Sequence, residues 1–248
     1  MRTTASEPDV PRLRMFAGPN GSGKSTLVER VGPKYTANFV NADIIEAQIR
    51  REQWFDFARW EMAPDSETLL AYFTSSTWLQ KAGLGPQAGR LTLRGTRLYF
   101  PDGVDSYLVS VLCDFLRRQM VRERLSFTFE TVMSAPDKVE FLAEARAQGY
   151  RTYLYFVATD NPLINVARVN SRVIKGGHPV PENKIITRYY RALDYLVGAV
   201  KASDRAYLWD NTGDSAVLFA EYDAQTDEFT LLVDKQPQWF QTHILDKL

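Results

Sequence analysis

Eight residues constrain this chain more than any others. Gly18-Pro-Asn-Gly-Ser-Gly-Lys-Ser25 lies between a short strand-like run, Arg12–Ala17, and a helical stretch opening at Thr26. The spacing G-x-x-x-x-G-K-[ST] between a strand and a helix is that of a phosphate-binding loop. Gly18, Gly21 and Gly23 permit backbone conformations and close approaches that a side chain would block. Successive N–H groups then face inward as an anion nest, and the helix start adds its positive end. In such a loop Lys24 reaches the β- and γ-phosphates and the Ser25 hydroxyl ligates Mg²⁺. Pro19, Asn20, Ser22 and Thr26 complete the nucleotide-binding segment.

The loop alone does not name a reaction. Chromosome-maintenance and transporter-type ATPases share it, but they need a strand ending in Asp-Glu and a Ser-Gly-Gly-rich segment, and neither is present. A guanine-reading N-K-x-D segment is also missing. A small-molecule kinase is the default expectation.

Composition narrows the class further. The chain has 248 residues, 45% apolar and 24% charged, with 30 basic and 30 acidic side chains. That is a soluble globular composition, long enough for a large core without staples. Zero net charge argues against a protein devoted to neutralising nucleic acid. The single Cys113 forms no internal disulfide and fits a reducing compartment. No apolar run approaches a membrane span, and Met1–Pro11 is polar with no signal core. A cytoplasmic protein with a loose amino-terminal tail is expected.

Five runs read as parallel strands with a polar residue at the carboxyl end: Arg12–Ala17, Phe39–Asn41, Leu125–Phe129, Thr152–Val157 and Ala206–Trp209. They alternate with helical stretches, so the fold class expected is α/β, an open parallel sheet of nucleotide-kinase type. The expectation is a single P-loop kinase domain over 1–248, with an insertion between the second and third strands and a carboxyl-terminal β-hairpin.

Ligands of such sheets bind beyond the carboxyl ends of the strands. Asp43, after the second strand, is placed either to take the proton of an attacking hydroxyl or to cap the following helix. Glu130, with Thr131, follows the third strand, where a carboxylate can hold Mg²⁺ or bind a substrate hydroxyl. Asn211 follows the last parallel strand; it either reads adenine or belongs to an ordinary Asp-Asn-Thr-Gly turn.

A basic cluster runs from Arg168 to Arg191. Asn161-Pro162 starts one helix, with Arg168 and Arg172 on one face and Val166, Val169 and Val173 on another. Gly176-Gly177 breaks it, and a second helix opening near Pro181 carries Lys184, Arg188 and Arg191. Residues 168–191 therefore read as an arginine-bearing lid, suited to the charge spread over a transferring phosphoryl group. Arg172 and Arg188 flank the turn most closely and are the candidates to reach it; Arg168 and Arg191 are assigned to the substrate. His178 lies in the turn, and two histidines make no metal cluster.

Residues 51–124 are too long for a simple crossover. Phe73, Trp78 and Leu79 are expected on one helix, Gly83–Gly89 in a loop, and Arg90–Phe100 in a hairpin. Tyr107, Leu108, Val111, Leu112, Phe115 and Leu116 recur at helical spacing, with Asp114 and Arg118 outside. This insertion is expected to cover the acceptor. Ala216–Tyr222 and Glu228–Val233 form the terminal hairpin, and Trp239 and Phe240 dock the tail on the body.

Taken in order, Ala17–Thr26, Asn41-Ala-Asp43, Phe129-Glu-Thr131, Arg168 and Arg172 with Gly176-Gly-His178, Val180-Pro181, Arg188-Tyr-Tyr-Arg191 and Asp210-Asn211 resemble the zeta-toxin-type P-loop kinases. The resemblance covers roughly residues 12–50 and 125–215. It implies ATP- and Mg²⁺-dependent phosphorylation of a sugar hydroxyl, with UDP-N-acetylamino sugars as family substrates. It implies Asp43 as the activating base, lid arginines and Lys24 at the γ-phosphate, and restraint by an antitoxin protein. Two other readings stay open: a nucleotide-gated binding protein acting through residues 51–124, and a polynucleotide kinase. Neutral charge and the lack of a basic aromatic groove count against the latter.

Overall fold

The computed structural model describes residues 10–36 and 38–247; the tail expected over the first ten residues lies almost entirely outside them. The chain divides into two compact bodies, one of residues 1–37 with 125–248, the other of residues 38–124.

In chain order, the first body opens with β1 (Arg12–Ala17) and α1 (Lys24–Val31). The second contains β2 (Phe39–Val40), α2 (Ala42–Glu52), β3 (Trp54–Asp56), α3 (Ser66–Thr74), α4 (Thr77–Lys81), α5 (Gly85–Ala88), β4 (Thr92–Arg94), β5 (Arg97–Tyr99) and α6 (Ser106–Arg122). The chain then re-enters the first body for β6 (Phe127–Thr131), α7 (Asp137–Ala147), β7 (Arg151–Ala158), α8 (Pro162–Ile174), α9 (Glu182–Asp194), α10 (Leu196–Lys201), β8 (Arg205–Asp210), β9 (Val217–Asp223), β10 (Glu228–Leu231) and α11 (Gln238–His243).

Within the first body the strand order is β10-β9-β8-β7-β1-β6. β6, β1, β7 and β8 run parallel, and β9 and β10 add an antiparallel edge. The protein is thus a mixed α/β fold on a mostly parallel sheet. β1 is central, and Leu13, Met15, Phe16 and Ala17 are fully buried, as a strand covered on both faces requires. Phe127, Phe129, Leu154, Phe156 and Leu208 continue that core. Trp239 and Phe240 of α11 close it, packing edge-on against Phe219 at 5.3 and 5.1 Å. The tail docks as its two aromatics imply.

The third parallel strand is Phe127–Thr131, two residues later than the sequence suggests. The register with β1 explains the shift: Leu13 pairs with Phe127 and Ala17 with Thr131. Ser126 precedes the ladder, its hydroxyl accepting the Arg12 N–H at 2.9 Å. Glu130 therefore sits within the strand rather than beyond its end.

In the second body β3, β5 and β4 form an antiparallel sheet with Trp54 opposite Tyr99 and Tyr99 opposite Thr92. The hairpin expected over Arg90–Phe100 is its β4–β5 pair. Phe55, Phe57, Leu69, Phe73, Leu98, Leu112 and Phe115 fill the core. The helix expected through Phe73, Trp78 and Leu79 is two helices. Ser76 breaks it, its side chain accepting the Leu79 N–H as the cap of α4, which leaves Trp78 58% exposed. The Gly83–Gly89 loop holds the single turn α5, with Pro86 in its first turn. On α6, Asp114 and Arg118 pair as the spacing foretells, at 3.0 Å.

Candidate active site

The glycine loop is built as its spacing demands. Gly18, Gly21 and Gly23 have φ of 144°, 76° and 100°. A Cβ on Gly18 would stand 2.1 Å from the Val157 carbonyl oxygen, one on Gly21 2.6 Å from that of Asn165, and one on Gly23 2.3 Å from Asn211 Nδ2. Each glycine thus admits a different neighbour. Gly23 is the N-cap of α1 and brings no capping side chain, so the helix start is left to serve an anion. Lys24 is buried, and its ammonium donates to the Gly18 and Pro19 carbonyls at 2.9 Å each. The Ser22 hydroxyl is an orphaned, fully buried oxygen inside the loop.

Ser25 and Glu130 come together. The Ser25 hydroxyl lies 3.4 and 3.3 Å from the two Glu130 carboxylate oxygens. Ser25 and Thr26 are exposed on the first turn of α1. Thr131 follows Glu130 and accepts the Met133 N–H at 3.1 Å.

Two elements hold the loop from outside. From the end of β8, Asn211 Nδ2 donates to the Ser22 carbonyl at 2.8 Å. From α8, Asn165 Nδ2 donates to the Asn20 carbonyl at 2.7 Å. Asn165 is fully buried and also accepts the Thr159 hydroxyl. The Thr159 carbonyl in turn accepts the Tyr189 hydroxyl at 2.5 Å. Burial, followed by the negative charge near Asp160, holds the Tyr189 phenol well above its ordinary range, so it stays a donor. No motif in the sequence includes Asn165. Its signal is a polar side chain on the apolar stripe of Val166 and Val169.

The basic helices form as expected. Asn161 caps α8 through the Leu163 N–H, and Val166 and Val169 pack with Ile185 of α9. The arginines differ in their contacts. Arg188 Nη1 reaches Asn20 Oδ1 of the glycine loop at 3.4 Å. Arg168 donates to the Asn211 and Gly213 carbonyls at 2.8 and 3.1 Å, bracing the loop after β8. Arg172 donates to the His178 carbonyl at 3.2 Å and closes the Gly176-Gly177 turn. Arg191 is exposed on α9.

Asp43 belongs to the second body, exposed in the first turn of α2. It does not cap that helix: Asn41 does, its Oδ1 accepting the Ile44 N–H at 3.1 Å.

A glycine cradle between the first strand and helix of a mostly parallel sheet, with paired arginine-bearing helices beside it, defines a P-loop kinase fold. The family model described as Zeta toxin matches residues 107–221. The AvrRxo1-ORF1:AvrRxo1-ORF2 complex is similar in structure, with TM-scores of 0.56 with sulphate ions and 0.54 with ATP. Identity there is 12% over 90% of this chain and 61% of that one. The PezAT toxin-antitoxin system of Streptococcus pneumoniae gives a TM-score of 0.50 at 11% identity, over 97% of this chain and 80% of that one. An uncharacterized protein of Haemophilus influenzae is 26% identical over 69 residues, 28% of this chain and 49% of its own length. The chain therefore spans about half of that relative and under two thirds of AvrRxo1-ORF1:AvrRxo1-ORF2. The chain is thus similar to the Zeta toxin family over residues 107–221 and shares the fold of these P-loop kinases.

Among the described residues, no helix is long and apolar enough to cross a membrane.

Proposed function

We propose that the chain is an ATP-dependent kinase that transfers the γ-phosphoryl group to a hydroxyl of a small molecule, with a UDP-activated amino sugar as the acceptor. The observation that carries this reading is the pairing of the Ser25 hydroxyl with the Glu130 carboxylate at the mouth of a glycine cradle. One hydroxyl and one carboxylate suit Mg²⁺, which keeps several waters and takes its other ligands from substrate phosphates. Bound there, the ion would neutralise charge on the β- and γ-phosphates.

In this reading the loop amides and the start of α1 hold the triphosphate, with Asn211 fixing the loop beside it. Lys24 exchanges its two carbonyl partners for phosphate oxygens. Arg188, already at Asn20, meets the transferring group, and Arg172 orders the lid turn that approaches from the other side. Arg191 serves the acceptor side of the lid, Arg168 braces the loop after β8 in place of the substrate role its spacing suggests, and Thr131 flanks Glu130. Asp43 accepts the proton of the acceptor hydroxyl as it attacks. The family match, over residues 107–221, supports the roles of Glu130 and the lid arginines, and the ATP complex of AvrRxo1-ORF1:AvrRxo1-ORF2 supports ATP as the nucleotide. PezAT is a toxin-antitoxin system, which supports an antitoxin protein as partner for this chain.

The test is mass spectrometry of a nucleotide-sugar and metabolite panel after incubation with ATP and Mg²⁺. One added phosphate on a UDP-amino sugar is the expected result. ATP consumption without any phosphorylated product would replace the kinase with a nucleotide-gated binding protein.

A further inference from the structure

The carboxyl-terminal helix α11 lies at the end of a hydrogen-bond chain that reaches the glycine loop. Trp239 is 3% exposed, its ring packed on Phe156 at 5.8 Å and Phe219 at 5.3 Å. Its indole N–H donates to Asp210 Oδ1 at 3.1 Å, and its backbone N–H to Asp160 Oδ1 at 3.4 Å. Asp210 Oδ1 also accepts the Thr212 hydroxyl at 2.7 Å, and Oδ2 accepts the Thr212 N–H at 3.3 Å. The Thr212 oxygen accepts the Asp160 N–H at 2.9 Å. The loops after β7 and β8 are thus tied to each other and to α11.

Asn211 sits between Asp210 and Thr212. Its N–H donates to the Ala158 carbonyl at 2.8 Å, and its side chain holds the Ser22 carbonyl. Phenylalanine would keep an aromatic ring at this position but not its N–H. What the indole alone supplies is an N–H aimed at a carboxylate, a charge-assisted bond stronger than a neutral one. That bond fixes the residue before Asn211.

We propose that Trp239 is a positioning residue for the nucleotide loop: it holds Asp210, which sets Asn211, which sets the Ser22–Gly23 peptide at the start of α1. The inference rests on the nucleotide-binding reading above. Coupling between sites is reciprocal, so a nucleotide on the loop must also tighten α11.

The experiment uses the full-length chain. ATP·Mg²⁺ affinity is titrated for the wild type and for Trp239→Phe, at a temperature where circular dichroism shows both folded. Amide exchange of residues 238–244 in the wild type is followed with and without ATP. The expected results are an ATP dissociation constant raised about fivefold in the variant, the scale of one lost hydrogen bond, and slower exchange in α11 when ATP is present. A merely structural tryptophan would lower stability and leave exchange in α11 indifferent to ATP. Equal affinities, or exchange unmoved by ATP, overturn the inference while the nucleotide reading stands. A wild-type chain that binds no ATP overturns both. Should the variant unfold, the wild-type exchange result decides alone.

Discussion

Asn211 at the end of β8 grips the Ser22 carbonyl of the glycine loop at 2.8 Å, across 189 residues of chain. The contact explains why Gly23 tolerates no Cβ: the amide nitrogen of Asn211 occupies that space, 2.3 Å from where the carbon would stand. A side chain that reads as a candidate for adenine thus acts on the loop backbone. Asn211→Ala is expected to weaken ATP binding about fivefold, the scale of one lost hydrogen bond. Gly23→Ala should abolish it, since the substitution adds a clash to a positive φ. Isothermal titration of both variants checks the order.

Lys24→Ala and Asp43→Ala separate binding from transfer. The first removes the ammonium expected at the phosphates and should lose both ATP affinity and phosphoryl transfer. The second should keep ATP affinity and lose transfer, because a base acts on the acceptor alone. Labelled ATP with separate binding and product assays reads the difference. Unchanged transfer by the Asp43 variant would remove that residue from the chemistry.

Asn165 is fully buried and bonds to both Asn20 and Thr159. Asn165→Ala leaves the Asn20 carbonyl without its donor, while the Thr159 hydroxyl keeps the Asn161 carbonyl, at a cost of about 2 kcal/mol. Tyr189→Phe removes only the hydroxyl on the Thr159 carbonyl and should cost about 1 kcal/mol. Urea unfolding of the two variants tests both the sizes and their ranking.

The second body carries a pH response of its own. Burial raises the Asp114 carboxyl, but the Arg117 charge, the Tyr72 hydroxyl and Arg118 outweigh it and bring it down to about 2. The folded value lies below the ordinary 3.8, so the group adds stability at neutral pH that is lost as the pH falls from about 4 through about 2. Asp114→Asn should cost roughly 2 kcal/mol at pH 7 and much less near pH 2. Denaturant titrations of wild type and variant across that range read the convergence.

The glycine loop, β1 and α1 are legible in the sequence because their chemistry is local: three glycines, a lysine and a hydroxyl at fixed offsets. The pairing of α8 with α9 is legible for a similar reason, since Asn161-Pro162 and Gly176-Gly177 punctuate a valine stripe. Glu130 reads one step out of place because strand ends are set by the partner, here the register with β1. The role of Asn41 as the cap of α2 is hidden because Asp43, two residues on, is an equally good capping type. Asn165, Arg168 and Trp239 act on loops far away in sequence, so spacing carries no trace of their targets. Ser75-Ser76 looks like part of a helix until the Ser76 side chain takes the Leu79 amide.

Lys24 has a consequence for selectivity. Its ammonium already satisfies two main-chain oxygens, Gly18 and Pro19. A guest must replace both partners to draw that charge outward. Sulfate or orthophosphate, with one compact set of oxygens, gains less from the exchange than a polyphosphate that spans loop and lysine together. On the nucleotide-binding reading, a loop whose lysine is already engaged is expected to favour a polyphosphate over simple anions.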